Sequence, residues 1–197
     1  MKPQLILLAG PNGAGKSTFY DLYLRDCGLP FLNADLVAAH TGIDSFSAAR
    51  LLDALRDRMI DEARGFITET VFSDRDGAKL RMLAKAVVAG FDVTLIYIGI
   101  TGPELSALRI AQRVKRGGHD VPKEKLASRF ERSLANLTAS VAVVPSIKMY
   151  DNSSPEHPYR LVAVLEEGRP TFVLARPPRW AKTILEPRRR RRRRPKR

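Results

Sequence analysis

Two hydrophobic periods alternate along the chain, and each predicts a different kind of element. Short apolar runs such as residues 5–9 (LILLA) and the β-branched run at residues 92–100 indicate buried strands. Residues 45–63 instead carry apolar side chains three or four positions apart, which is typical of an amphipathic helix. The alternation of strand-like and helix-like segments predicts an α/β fold in which helices flank a mostly parallel sheet.

The strand-like segments define a five-stranded sheet: residues 5–9, 31–35, 66–72, 92–100 and 147–152. The helix-like segments are residues 16–25, 45–63 and 75–89, a helix that begins at Pro103, and residues 123–140. Residues 159–166 and 170–175 predict a C-terminal β-hairpin, and Trp180 and Ile184 predict a last short helix. We expect one domain over residues 1–186, because this length suits one well-packed core.

Residues 10–18 (GPNGAGKST) match the phosphate-binding pattern G-x-x-x-x-G-K-[ST] between the first strand and the first helix. Glycines at such a turn let backbone N–H groups face an anion, and the helix N-terminus adds partial positive charge. We predict that ATP is bound by Gly10, Pro11, Asn12, Gly13, Ala14, Gly15, Lys16, Ser17 and Thr18. Lys16 would reach the β- and γ-phosphates, and the Ser17 hydroxyl would hold Mg²⁺.

Two polar positions point to an acceptor site beside this loop. Asp35 ends the second predicted strand, and carboxyl ends of parallel strands gather reactive groups, so Asp35 is a candidate base for a substrate hydroxyl. An N-cap of the following segment is the alternative for Asp35. Glu69 lies within a strand that we expect to be buried, where it is either paired with an arginine or, together with Thr70, placed to contact substrate and the Mg²⁺ shell.

Arginines flank a glycine-containing loop at residues 117–122 (GGHDVP) between the last two long helices. This arrangement predicts a helical lid whose arginines neutralise charge on a transferring phosphoryl group. We select Arg113 and Arg129 as catalytic residues and Arg116 and Arg132 as substrate contacts. Solubility of exposed helices is the alternative explanation for each arginine taken alone.

The positive charge of the chain is concentrated at its C-terminus, so it adds little to the functional interpretation of residues 1–187. The net charge is +13, and subtracting the nine positive residues between 188 and 197 leaves +4 for residues 1–187. Residues 187–197 therefore predict a disordered arginine-rich tail with weak, salt-dependent affinity for nucleic acid. Cys27 stands alone, which excludes an intramolecular disulfide, and we expect it to be buried. Lacking an apolar run of membrane-spanning length, the chain is expected to be cytoplasmic and not membrane-inserted.

The combined motifs resemble the zeta-toxin-like group of P-loop kinases over about the first 155 residues. The segments that carry the resemblance are GPNGAGKST, LNAD (32–35), ETVFS (69–73), GGHDVP and RFERSLANL (129–137). Zeta toxins use ATP to phosphorylate UDP-N-acetylglucosamine. The resemblance implies Lys16 and Ser17 as ATP and Mg²⁺ contacts, Asp35 as the base, and Glu69 with Thr70 as substrate contacts. It also implies a separately encoded antitoxin as a partner, while the GGHDVP lid is similar to that of the small, stand-alone branch.

These observations predict an ATP-dependent kinase that transfers the γ-phosphate to a small-molecule hydroxyl, such as that of a nucleotide sugar. Two alternatives remain open on the sequence. One is a nucleotide-binding regulatory ATPase that associates with nucleic acid through its tail, and the other is an ATPase that hydrolyses without an acceptor.

Overall fold

The computed structural model describes residues 2–115 and 121–185. The strands are β1 (Gln4–Ala9), β2 (Phe31–Leu32), β3 (Phe66–Thr70), β4 (Asp92–Gly99), β5 (Ser146–Asp151), β6 (Arg160–Glu166) and β7 (Arg169–Val173). The helices are α1 (Lys16–Tyr23), α2 (Ala34–Thr41), α3 (Ser45–Asp61), α4 (Ala78–Val88), α5 (Pro103–Val114), α6 (Lys123–Ser140) and α7 (Arg179–Leu185).

All seven strands form one sheet in the order β2-β3-β1-β4-β5-β6-β7. The five strands from β2 to β5 pair in parallel, as predicted. The C-terminal hairpin is also confirmed, and it extends this sheet because β6 pairs antiparallel with β5 and β7 with β6. The chain therefore has the α/β P-loop kinase fold that its motifs predict, with β1 central between β3 and β4.

Alternate residues of the central strands bury their side chains on opposite faces of the sheet. One face, with Leu5 and Leu7 of β1, packs against helices that include α3, α4 and α7. The other face, with Leu8 of β1 and Ile98 of β4, packs against Phe19 of α1. Because both faces are covered, the strands read as nearly continuous apolar runs in the sequence.

The C-terminal helix α7 docks at the carboxyl end of β4 through its tryptophan. A Cβ on Gly99 would lie 2.3 Å from the Trp180 ring, so this glycine makes room for the indole. The Trp180 Nε1–H donates to Asp151 Oδ1 at 2.8 Å, which satisfies the buried indole. The predicted last helix is thus present.

Three expectations about local structure were wrong. The second strand ends at Leu32 rather than at residue 35, because the Asn33 side chain starts α2 there. Helix α4 begins at Ala78, three residues later than predicted. Cys27 is exposed in a short 3₁₀ turn instead of being buried. Residues 116–120, with Arg116 and most of the predicted lid loop, and the tail at residues 187–197 lie outside the described residues.

Candidate active site

Side chains from distant segments hold the phosphate loop by its carbonyl groups. The bonds run from Ser106 Oγ to Asn12 O (2.5 Å), Arg109 Nη1 to Gly13 O (3.3 Å), Asn152 Nδ2 to Ala14 O (2.8 Å) and Tyr159 Oη to Gly15 O (2.9 Å). In a planar trans peptide the C=O and the N–H point in opposite directions. Carbonyls drawn outward turn the N–H groups of the same peptides toward the interior of the loop, where they can form an anion-binding concavity. The Ala14 N–H donates to Pro11 O at 3.2 Å.

Glycine is required at two positions of this loop. Gly10 has φ 144°, and a Cβ there would lie 2.2 Å from the Ile98 carbonyl oxygen of β4. Gly15 has φ 91°, and its Cβ would lie 2.7 Å from Asn152 Nδ2. Side chains at either position would clash and would strain the left-handed backbone. The loop can thus sit tightly between the sheet and the segment after β5.

Lys16, Ser17 and Glu69 meet at the mouth of the loop. Strand β3 lies beside β1 with Glu69 in register with Leu8, so the carboxylate reaches the start of α1. Glu69 Oε1 lies 3.7 Å from Lys16 Nζ, and Ser17 Oγ donates to Glu69 Oε2 at 3.0 Å. Lys16 Nζ also donates to Pro11 O at 3.2 Å. Glu69 is therefore paired with the phosphate-loop lysine rather than with an arginine.

The ammonium of Lys16 carries the electrostatic character of the site. Burial lowers the pKa of Lys16 below its ordinary value, while the negative charges of Glu69 and Asp35 raise it and the positive charge of Arg113 lowers it further. Because water screens a buried ammonium only weakly, Lys16 would interact strongly with an anion that binds in the loop. Lys16, Asp35, Glu69 and Arg113 are therefore electrostatically coupled in one site.

Asn33 positions Asp35 and also contacts Glu69. Its Oδ1 accepts from the backbone N–H groups of Asp35 (2.8 Å) and Leu36 (3.2 Å), so Asn33 is the N-cap of α2. Its Nδ2 donates to Glu69 Oε2 at 2.9 Å. Asp35 consequently lies in the first turn of α2 instead of ending a strand, and the capping role falls to Asn33.

A cleft of about 200 Å³ opens beside these groups, between the sheet and the helices α2 and α3. We call it the α2–α3 cleft, and it is lined by Asn33, Ala34, Asp35, Ala49, Arg56, Glu69, Thr70, Val71 and Lys79. The predicted residues Asp35, Glu69 and Thr70 thus line one cleft, and Glu69 connects it to the phosphate loop. This arrangement can place a small molecule next to a bound phosphate chain.

The predicted lid helices are present, and their arginines occupy different surroundings. Arg113 is exposed on α5, close enough to Lys16 to lower its pKa. Arg132 Nε donates to the Ser73 carbonyl at 2.9 Å, which ties α6 to the loop after β3. Arg129 is half-buried on α6. Helices α5 and α6 pack through Ile110, Val121 and Leu126.

Sequence reasoning missed several residues that support the loop. Ser106 and Arg109 lie seven and four positions before Arg113, so they share one face of α5. That spacing was a usable signal for a helix face turned toward the phosphate loop. Tyr159 carried no comparable signal, because its contact with Gly15 joins residues that are 144 positions apart.

The oxygens of Ser17 and Glu69 fit a magnesium site that is completed by phosphate. Hydroxyl and carboxylate oxygens are hard ligands of the kind Mg²⁺ prefers, and Mg²⁺ usually keeps waters and substrate phosphates among its ligands. In the described parts of the chain, no cluster of three or more His, Cys, Asp or Glu side chains could hold a metal by itself. Ser17 and Glu69 would thus hold Mg²⁺ together with a triphosphate, where the ion would neutralise phosphate charge.

Comparisons with known proteins agree with this architecture. A protein of Haemophilus influenzae (strain ATCC 51907 / DSM 11121 / KW20 / Rd), described as uncharacterized, is 29% identical over 135 residues, which cover 66% of this chain and 94% of that protein. The structure is similar to that of AvrRxo1-ORF1:-ORF2 with ATP, with a TM-score of 0.65, 18% identity and coverage of 86% of this chain. It is also similar to a structure of the PezAT chromosomal toxin-antitoxin system of Streptococcus pneumoniae, with a TM-score of 0.61, 19% identity and coverage of 83% of this chain.

The chain spans 60% of the matched AvrRxo1 chain and 72% of the matched PezAT chain. No helix within residues 2–115 and 121–185 is both long enough and apolar enough to cross a lipid bilayer. The AAA_33 family, described as an AAA domain, matches residues 5–139, which include the phosphate loop, β3, α5 and all of α6 except its last residue. The chain therefore belongs to this family of AAA domains.

Proposed function

We propose that this protein is an ATP-dependent kinase that transfers the γ-phosphate to a hydroxyl group of a small molecule. The observation that carries the proposal is the position of Asp35 in a cleft that adjoins the phosphate loop at Glu69 and Lys16. A protein that only hydrolyses ATP has no need of such a cleft beside the loop. A kinase needs one, because the acceptor oxygen must lie in line with the transferring phosphorus.

Each charged group has a role in this reaction. The carboxylate of Asp35 accepts the proton of the acceptor hydroxyl as its oxygen attacks the γ-phosphorus. The new O–P bond forms while the bond to the β,γ-bridging oxygen breaks, and ADP leaves with the electron pair. Lys16 and Arg113 neutralise charge on the phosphoryl oxygens, and Ser17 with Glu69 would hold Mg²⁺. The lid residues Arg116, Arg129 and Arg132 stay predictions as substrate and transition-state contacts.

The likeness to the PezAT structure and the zeta-toxin-like motifs suggest the first acceptor and partner to test. Nucleotide sugars such as UDP-N-acetylglucosamine are the first class of acceptor, and a separately encoded antitoxin is the partner to seek. Such a kinase would operate in the cytoplasm, where ATP and Mg²⁺ are available.

The test is ³¹P NMR of the purified protein with ATP, Mg²⁺ and a panel of hydroxyl compounds that includes nucleotide sugars. A kinase produces a new phosphomonoester signal, and Asp35→Asn lowers its rate of formation by about 10²- to 10⁴-fold, because the general base is lost. Asp44→Asn is the matched control, because Asp44 caps α3 away from the cleft and Asn caps a helix equally well. ADP and inorganic phosphate alone, released equally by wild type and Asp35→Asn, would refute the proposal.

A further inference from the structure

Arg56 of α3 is a buried cation beside the proposed catalytic groups, and the reaction outlined above does not use it. The residue is 4% exposed, and it is one of the side chains that line the α2–α3 cleft. Its Nε donates to Thr68 Oγ1 at 2.8 Å, and its Nη1 donates to Asp53 Oδ1 at 2.6 Å. Thr68 Oγ1 in turn donates to the Leu32 carbonyl at 3.0 Å, so the guanidinium is held in a fixed orientation.

These bonds use two of the three guanidinium nitrogens. Within the described residues, Nη2 of Arg56 has no hydrogen-bond partner, and this nitrogen is not fully buried. A buried guanidinium is expensive unless its donors are satisfied. An arginine that lines a cleft with a donor left over is therefore suited to a ligand that supplies the missing acceptor.

Lys79 of α4 adds a second positive charge to the same cleft. Its side chain is 16% exposed, and its Nζ shares the carboxylate of Asp53 with Arg56. Two cations share one half-exposed carboxylate, so positive charge is concentrated at Arg56 and Lys79, while Asp35 supplies a negative charge elsewhere in the lining of the cleft. Glu69 does not cancel that positive charge, because its oxygens are engaged by Lys16, Ser17 and Asn33.

We propose that the acceptor carries an anionic group, a carboxylate or a phosphate, that is bound by Arg56 with the assistance of Lys79. Arginine is suited to this task because its planar fork matches the oxygens of both anions. Binding of that group would hold the acceptor hydroxyl toward Asp35. This inference rests on the proposed kinase function for the hydroxyl, but the anion-binding site can be measured without phosphoryl transfer.

The experiment is isothermal titration of the full chain with glycerol, glycerate and glycerol 3-phosphate. A nonhydrolysable ATP analogue with Mg²⁺ is kept saturating, so that the phosphate loop cannot bind the probes. We expect at least one anionic probe to bind about 10-fold or more tightly than glycerol, since a charge-assisted hydrogen bond strengthens binding by this order. The separate glycerate and glycerol 3-phosphate titrations distinguish a carboxylate site from a phosphate site.

Three variants locate the site. Arg56→Met should weaken binding of the anionic probe about 10- to 100-fold and leave binding of glycerol unchanged. Lys79→Met tests the same cleft without disturbing a buried side chain, and it should weaken anion binding by a smaller factor. Lys85→Met is the matched control, because Lys85 also lies on α4 and pairs with Asp57 and Asp61 but does not line the cleft.

Equal binding of charged and neutral probes by the wild type would overturn the inference, as would an anion preference that survives in both Arg56→Met and Lys79→Met. The wild-type protein with ATP, Mg²⁺ and each probe is followed in parallel by ³¹P NMR. An anion preference that depends on Arg56 without any new phosphomonoester signal would support the anion site and count against the kinase. A new phosphomonoester signal with neutral acceptors alone would support the kinase and overturn the anion site.

Discussion

The phosphate loop and the α2–α3 cleft meet at Glu69, but they are built in different ways. The loop is a single run of nine residues whose carbonyls are held from outside by α5 and by the segments that follow β5. The cleft is assembled from α2, α3, α4 and β3, and several of its walls carry charge. Local chain geometry gives the loop its turn and distant side chains hold that turn in place, whereas the cleft exists only through tertiary packing. Changes in the loop should affect ATP, and changes in the cleft should affect the acceptor.

Lys16→Met gives the largest expected effect and separates function from stability. Loss of a group that neutralises the transferring phosphate should lower kcat about 10²- to 10³-fold. Burial lowers the pKa of Lys16, so the charged ammonium is disfavoured in the folded protein, but Met also leaves Glu69 without its cation, so the free energy of unfolding at neutral pH should change little. Steady-state kinetics and chemical denaturation measure the two effects.

The pH dependence of the wild type checks this explanation. Between the lowered folded pKa of Lys16 and its ordinary value of 10.5, the unfolded chain binds more protons than the folded chain. The Lys16 contribution to the free energy of unfolding therefore rises with pH through this window, and it is absent in Lys16→Met. Equal pH profiles for the two proteins would contradict the assignment.

Substitutions of Asn33 test the place where the phosphate loop and the α2–α3 cleft meet. We expect their effects on stability and turnover to be intermediate. Asn33→Ala removes the N-cap of α2 and the bond to Glu69, so we expect a loss of about 1–2 kcal/mol in the free energy of unfolding. Asn33→Asp keeps the cap but places a second carboxylate beside Glu69. The repulsion between the two carboxylates offsets the retained cap, so chemical denaturation at neutral pH should show that Asn33→Asp is also less stable than the wild type.

The turnover of Asn33→Ala and Asn33→Asp shows whether the contact of Asn33 with Glu69 affects the acceptor more than ATP. Both variants displace the contact that joins α2 to Glu69, so both should lower acceptor-dependent turnover, by about 10-fold for a lost hydrogen bond to a charged group. ATP binding should change less, because no carbonyl of the loop is held by Asn33. Wild-type turnover in Asn33→Asp would show that this junction has no part in acceptor positioning.

The same difference in construction explains what could be predicted from the sequence. The glycines and Lys16 act through local geometry, so the motif alone predicted the turn and its position after β1. The end of β2 was missed because Asn33 competes for the backbone of α2 through its own side chain, an effect that apolar periodicity does not report. Arg56 was not singled out from the sequence, because its bond to Thr68 exists only after α3 packs on β3. Asp35 lies in the expected cleft, but it does so as the second residue of a capped helix and not as the last residue of a strand.

Tyr159→Phe should give the smallest effect and confine it to the loop. The variant loses the hydroxyl that donates to the Gly15 carbonyl, so one peptide of the loop is less firmly oriented. A neutral hydrogen bond of about 0.5–1.5 kcal/mol corresponds to ATP binding that is weaker by about 2- to 10-fold. Tyr150→Phe is the matched control, because both rings pack against Phe19 but, among the residues described, the Tyr150 hydroxyl has no hydrogen-bond partner. Calorimetric titration with an ATP analogue should detect the difference, and titration with the acceptor should not. If Tyr159→Phe weakened binding of the ATP analogue and of the acceptor equally, the loop and the cleft would respond as one unit.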